Sequence, residues 1–196
     1  MQVSNYIGFN PVHFTRIGEL LNYICLRNQP YLYSTKLMKL LYIIDEESVI
    51  KTGVPITWMK FYIYSKGPLP EKLWLSLRTD NDIFKDYINL EYNQLGYKIT
   101  ANGKWGLGEF SINEKIIIDE TLDKFENNKV SYLIDYTHRK GGLWDKLVEE
   151  KNIEFVDSDA SPYVIDFEEL IKNDNVKSLK YKAIQEEVIA MESLFV

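Results

Sequence analysis

In the first apolar segment, residues 12–27, Phe14, Ile17, Leu20, Leu21, Ile24 and Cys25 recur every three or four positions, which lines them along one helix face. A stronger version follows in "STKLMKLLYIIDEESVIKTG". There Leu37, Leu40, Leu41 and Ile44 form the expected buried stripe, Ser34 is the expected cap and Gly53 the expected terminator. This second helix is expected at the centre of the fold. In "VPITWMKFYIY" the period shortens and β-branched and aromatic residues take over, which predicts a loop and a short strand. Pro68 and Pro70 then fall where a first helical turn tolerates a missing N–H, so residues 69–78 should be helical with Leu73, Trp74 and Leu77 inward.

Two short alternating runs flank "NQLG" and predict a β-hairpin. From "SINEKIIIDETLDKFENN" the helical period returns, with Ser111 or Asn113 as cap and Ile116, Ile117, Leu122 and Phe125 as the inner stripe. "VSYLIDYTHRKGGLWDKLVEEK" reads as a further helix interrupted at Gly141 and Gly142. "NIEFVDSDASPYVID" reads as a polar loop, and the C-terminal segment is helical in composition with a break near "NDN". The pattern predicts a mostly α-helical α+β fold, six or seven helices around a central buried helix, with a small antiparallel β element within residues 61–99. One domain is expected over residues 1–175. Residues 176–196 form a helical extension whose apolar residues Leu179, Ile184, Val188, Ile189, Met191, Leu194 and Phe195 should dock on the domain or on a partner.

At 196 residues the chain suits one domain with a sizeable core. Its 45% hydrophobic and 27% charged residues exclude a disordered or fibrous chain, and 14 tyrosines suit core edges or a binding surface. The formal charge of -6 argues against broad contact with nucleic acid and favours a basic or membrane-seeking partner. "MQVSNYIGFNPVHF" lacks the basic start and apolar core of a signal peptide, and no apolar run is long enough to span a membrane, so a cytoplasmic location is expected. Cys25, the one cysteine, sits among apolar neighbours and reads as a core thiol.

Candidate chemistry is sparse. "NGKWGLG" lacks the strand–loop–helix context and the Lys-Ser/Thr ending of a phosphate loop, and two histidines cannot make a multi-histidine metal site, so no cofactor or metal is expected. His138 with Asp135 and a serine or Cys25 could form a hydrolytic triad on paper, but no nucleophile elbow accompanies it. Thr137 and His138 can equally anchor a helix kink through hydrogen bonds, and that structural reading is preferred. Asp45, Glu46 and Glu47 read as a solvated helix face, with an acidic contact for a basic partner as the sharper alternative.

Four segments together resemble the Panacea antitoxin family, the SocA-like and phage-associated GepA-like proteins. "STKLMKLLYIIDEESVIKTGVPI" is similar to its Lys-Leu-x-Lys-Leu-Leu-Tyr helix, "FYIYSKGPLPEKLW" to its Gly-Pro segment, "SYLIDYTHRKGGLWDKL" to its Thr-His and Trp segment, and "SPYVIDFEELI" to its closing helix. Tyr64 stands where the family usually has Trp, and Gly142 and Leu143 replace a Ser-Pro before Trp144. The matched positions Lys39, Leu40, Tyr42, Tyr64, Gly67, Pro68, Thr137, His138 and Trp144 are, by this resemblance, structural or partner-binding residues. The resemblance implies a non-enzymatic antitoxin on a mobile element or prophage that binds and neutralises a cognate protein toxin encoded beside it. Some members act as adaptors that deliver the toxin to a protease, which is the alternative. A His138-dependent hydrolase and a DNA-binding autoregulator rank below both.

Overall fold

Helix α2, Ser34–Thr52, is surrounded because its sequence is apolar on nearly every side: residues 37–46 are buried without a gap. In the computed structural model, which describes residues 11–79, 83–156 and 159–193, α1 is Pro11–Arg27 and a two-residue strand β1, Leu32–Tyr33, runs directly into α2. Strand β2, Tyr62–Tyr64, helix α3, Glu71–Thr79, and the hairpin of β3, Ile88–Asn93, and β4, Gly96–Ala101, follow. Three helices come next, α4, Ile112–Phe125, α5, Val130–Thr137, and α6, Leu143–Glu150. Strand β5, Ala160–Val164, a 3-10 turn, Phe167–Leu170, and α7, Asn175–Ser193, complete the described chain. Helix α2 is packed by α4, α5, β1, β4 and the 3-10 turn, so the fold is a mostly helical α+β domain built around it.

Local signals account for most boundaries, with instructive exceptions. Gly53 ends α2 at φ +85, its N–H donating to the Val49 carbonyl at 2.9 Å. Ser34 does not cap α2. Its neighbour Tyr33 is already extended, because β1 is pinned to β4 through Leu32 opposite Ile99 and Tyr33 opposite Lys98, so Tyr33 becomes the cap residue with no side-chain bond. Ser111 caps α4 in a reciprocal capping box with Glu114. The inner stripe of α4 is rotated from the expected one: Ile118 is fully buried while Ile116 is half exposed. Buried Thr121 accounts for the shift, since its hydroxyl donates to the Ile117 carbonyl at 2.7 Å and so behaves as a core residue.

The expected hairpin is present, with β4 central in a β1-β4-β3 sheet. Strand β2 does not join it. It pairs instead with β5, Tyr62 opposite Val164 and Tyr64 opposite Ala160, in a segment expected to be a polar loop. The β5 residues are mostly exposed and include Pro162, so neither alternation nor β-propensity marks them. The supposed closing helix in "SPYVIDFEELI" is therefore this strand and the short 3-10 turn.

The acidic run is not a solvated face. Asp45 and Glu46 are fully buried and only Glu47 keeps some exposure. Asp45 accepts from the backbone N–H groups of Ile56 and Thr57, both at 2.8 Å, and from the Thr57 hydroxyl. These bonds tie down the loop after α2, including Trp58 at the strained φ of +54. Burial raises the Asp45 carboxyl to about 6 although the three bonds pull it down. At the far end of α2, Lys177 and Lys180 of α7 donate to the Ile50 and Thr52 carbonyls at 2.7 and 2.9 Å, which satisfies the helix C-terminus with positive charge. Tyr181 is buried beside Trp58, ring centroids 5.3 Å apart, whereas Ile189 and Met191 further along α7 are exposed. Leu194 and Phe195 lie outside the described residues.

Because Asp45→Ala leaves two buried N–H groups without acceptors, it should destabilise the protein by about 3 kcal/mol or more. Asp45→Asn, which keeps a carbonyl oxygen there, should cost clearly less. Urea denaturation midpoints at neutral pH check the ordering; equal losses would refute this role for Asp45.

Candidate functional site

The corner that follows β2 is closed by backbone before any side chain acts. Tyr62 and Leu69 exchange two hydrogen bonds, at 2.9 and 3.0 Å, and inside that loop the Gly67 N–H donates to the Tyr64 carbonyl at 2.9 Å. Gly67 takes φ +90, which its missing Cβ makes inexpensive. The glycine is also a matter of space. A Cβ there would lie 2.7 Å from Lys39 Nζ, 2.8 Å from His138 Cε1 and 2.9 Å from Thr137 Oγ1. Three residues from α2 and the end of α5 thus converge on one point of the corner.

Each of them is committed to backbone. Lys39 is buried and its ammonium donates to the Pro68 carbonyl at 3.0 Å, while burial lowers its pKa from 10.5 to about 7. The Thr137 hydroxyl donates to the Ile134 carbonyl at 2.9 Å. His138 caps α5 and sets one ring nitrogen 2.7 Å from the Ile134 carbonyl and the other 3.2 Å from the Ser65 carbonyl. Carbonyl oxygens only accept, so both contacts are hydrogen bonds only when both ring nitrogens carry protons. Trp144, in the first turn of α6, completes the bracket: its indole N–H donates to the Tyr64 carbonyl at 3.1 Å and its ring meets His138 edge-on at 4.2 Å. Gly142 stands as the cap residue of α6 where the resemblance expected Ser-Pro, and Trp144 still reaches the corner.

Seven of the nine positions singled out by resemblance therefore meet here, namely Lys39, Tyr64, Gly67, Pro68, Thr137, His138 and Trp144. Leu40 and Tyr42 do not. Leu40 is fully buried in the core, and Tyr42 lies between Phe61 and Phe167 with ring centroids 5.5 Å away on each side. The Tyr42 hydroxyl leads to a second buried cluster by donating to Glu46 at 3.2 Å. Arg139, next to His138, forms an ion pair with Glu46 at 2.9 Å. Burial raises the Glu46 carboxyl and Arg139 opposes the rise. This Tyr42–Glu46–Arg139 link fastens α2 to the chain just after α5, and the sequence reading missed it. The stripe of Leu37, Leu40, Leu41 and Ile44 gave no signal of it, because Tyr42, Asp45, Glu46 and Val49 share a three-and-four spacing on a different face of the helix.

The paper triad is not assembled. His138 rests on backbone carbonyls, Asp135 is exposed, and Cys25 is buried in α1 with its thiol raised to about 12. Among the described residues no three His, Cys, Asp or Glu side chains gather as metal ligands, and no helix is long and apolar enough to cross a membrane. Beside the corner an open cavity of about 360 Å³ lies between the start of α2, the corner and α3.

The fold is thus a mostly helical domain whose polar groups clamp a glycine corner. Residues 37–145, more than half of the chain, match the family model described as antitoxin SocA-like, Panacea domain, and the chain belongs to that family. The match begins at the first buried residue of α2 and ends just past Trp144, so it contains the whole bracket. No curated protein and no solved structure matches the chain.

Two consequences are measurable. Gly67→Ala should lower stability by about 2 kcal/mol or more, from the left-handed φ and the crowding by Lys39, Thr137 and His138. Thermal unfolding checks this, and an unchanged melting temperature would contradict the convergence. For Lys39 the folded pKa is depressed, so between about pH 7 and 9 the unfolded chain holds a proton that the folded chain lacks, and stability rises with pH. Lys39→Met should remove up to about 1.4 kcal/mol per pH unit of that slope. Denaturation at pH 7, 8 and 9 for both proteins, with equal slopes, would show that Lys39 stays charged.

Proposed function

We propose that this protein is an antitoxin that acts in the cytoplasm by binding a cognate protein toxin and covering its working surface in a one-to-one complex. The observation that carries the reading is that the segment matching the antitoxin domain, residues 37–145, is the segment that builds the bracket. The polar groups of the bracket each hold or face a backbone carbonyl, which suits a rigid binding scaffold better than a reacting centre. The formal charge of -6 and exposed aromatic side chains such as Tyr31, Tyr132 and Tyr163 are compatible with masking a basic protein face. Charge complementarity of that kind speeds encounter more than it deepens affinity.

Co-expression with the product of the adjacent gene should rescue growth and yield a complex that co-purifies at one-to-one stoichiometry, with the toxin's half-life unchanged. A harmless neighbour that forms no complex would overturn the proposal. Rescue with a shortened toxin half-life would replace simple occlusion by delivery to a protease.

A further inference from the structure

Among the described residues, the cavity beside the corner is lined by more basic than acidic side chains, in a protein whose formal charge is -6. Lys39 closes its inner wall, Lys66 of the corner and Arg78 of α3 line its mouth, and among the described residues Asp159 is the one acidic residue that lines it. The Asp159 carboxylate already accepts from the Ser65 hydroxyl at 2.6 Å. Among the described residues neither Lys66 nor Arg78 has a carboxylate partner. Arg78 sits over the Trp74 ring, Cζ 3.9 Å from its centroid, which helps to position its guanidinium. Buried Lys39 spends one N–H on Pro68 and, when protonated, keeps two further donors.

A further wall of the cavity is the first turn of α2. Ser34 and Thr35 line it, no side chain caps that helix, and no acidic residue occupies its first turn. The Ser34 and Thr35 hydroxyls and the N–H groups of that first turn add donors to the cations. Donors therefore approach the same space from α2, from the corner and from α3. Such an arrangement matches an anion with several acceptor oxygens spread in three dimensions better than a flat carboxylate. The volume, about 360 Å³, is that of a small-molecule site.

We propose that this cavity binds a phosphate-bearing small molecule, with Lys39, Lys66, Arg78 and the start of α2 around the phosphate oxygens. The site belongs to the protein alone and does not depend on a toxin. Bound there, such a molecule lies against the bracket and stiffens the face that the corner presents.

The test is calorimetric titration of the full chain with pyrophosphate and with adenosine diphosphate, in buffer free of phosphate. One or both should bind saturably at one site, and citrate should bind much more weakly. Lys66→Ala with Arg78→Ala should weaken binding about tenfold or more, since each contact is charge-assisted. Lys51→Ala with Lys124→Ala removes the same charge from pairs between α2 and α4 and should leave binding unchanged. The proposal is overturned by no saturable binding of either probe at millimolar concentration, by citrate binding as tightly, or by equal losses in the two double variants.

Discussion

A helix segment buried on all sides must find internal partners for every polar group it carries, and the buried span of α2, residues 37–46, carries three ionisable ones besides Tyr42. Lys39, Asp45 and Glu46 all lie within its buried span. An ion or carboxylate left unpaired there would cost several kcal/mol, so each dictates the position of a distant segment. Lys39 calls for the Pro68 carbonyl, Asp45 for the loop at Ile56 and Thr57, and Glu46 for Arg139. The remainder of the domain is arranged to meet those three demands.

The functional face follows from that constraint. With Lys39 fixed under the corner and Arg139 fixed beside Glu46, the end of α5 has no freedom to withdraw from Gly67, and His138 and Trp144 close over it. A corner of this kind is held from beneath while its outer side stays open. Solvent-side groups such as Lys66, Arg78 and the exposed tyrosines take no part in the clamp.

The helices and the hairpin were legible because their signals are local: the three-and-four spacing in α1 and α2, Gly53 at its terminus, the capping box at Ser111 and the "NQLG" turn. What escaped was non-local. Strand β5 exists because β2 pairs with it about a hundred residues earlier in the chain, and its exposed, proline-containing sequence does not announce a strand. Asp45 and Glu46 were misread because charge usually marks the solvent side. They lie off the stripe of Leu37, Leu40, Leu41 and Ile44 and are buried because α2 is covered on its other faces too. The residues of the bracket were found by resemblance, but their convergence on the missing Gly67 Cβ comes from the fold, as does the separation of Leu40 and Tyr42 from them.

The central claim is that the corner is held rigidly and is not a moving or reacting element. Amide hydrogen exchange measures this directly at Gly67, Leu69 and His138, whose N–H groups donate within the bracket. The account predicts that these amides exchange as slowly as those in the middle of α2, through global unfolding alone. Fast local exchange at the corner, with α2 still protected, would contradict it.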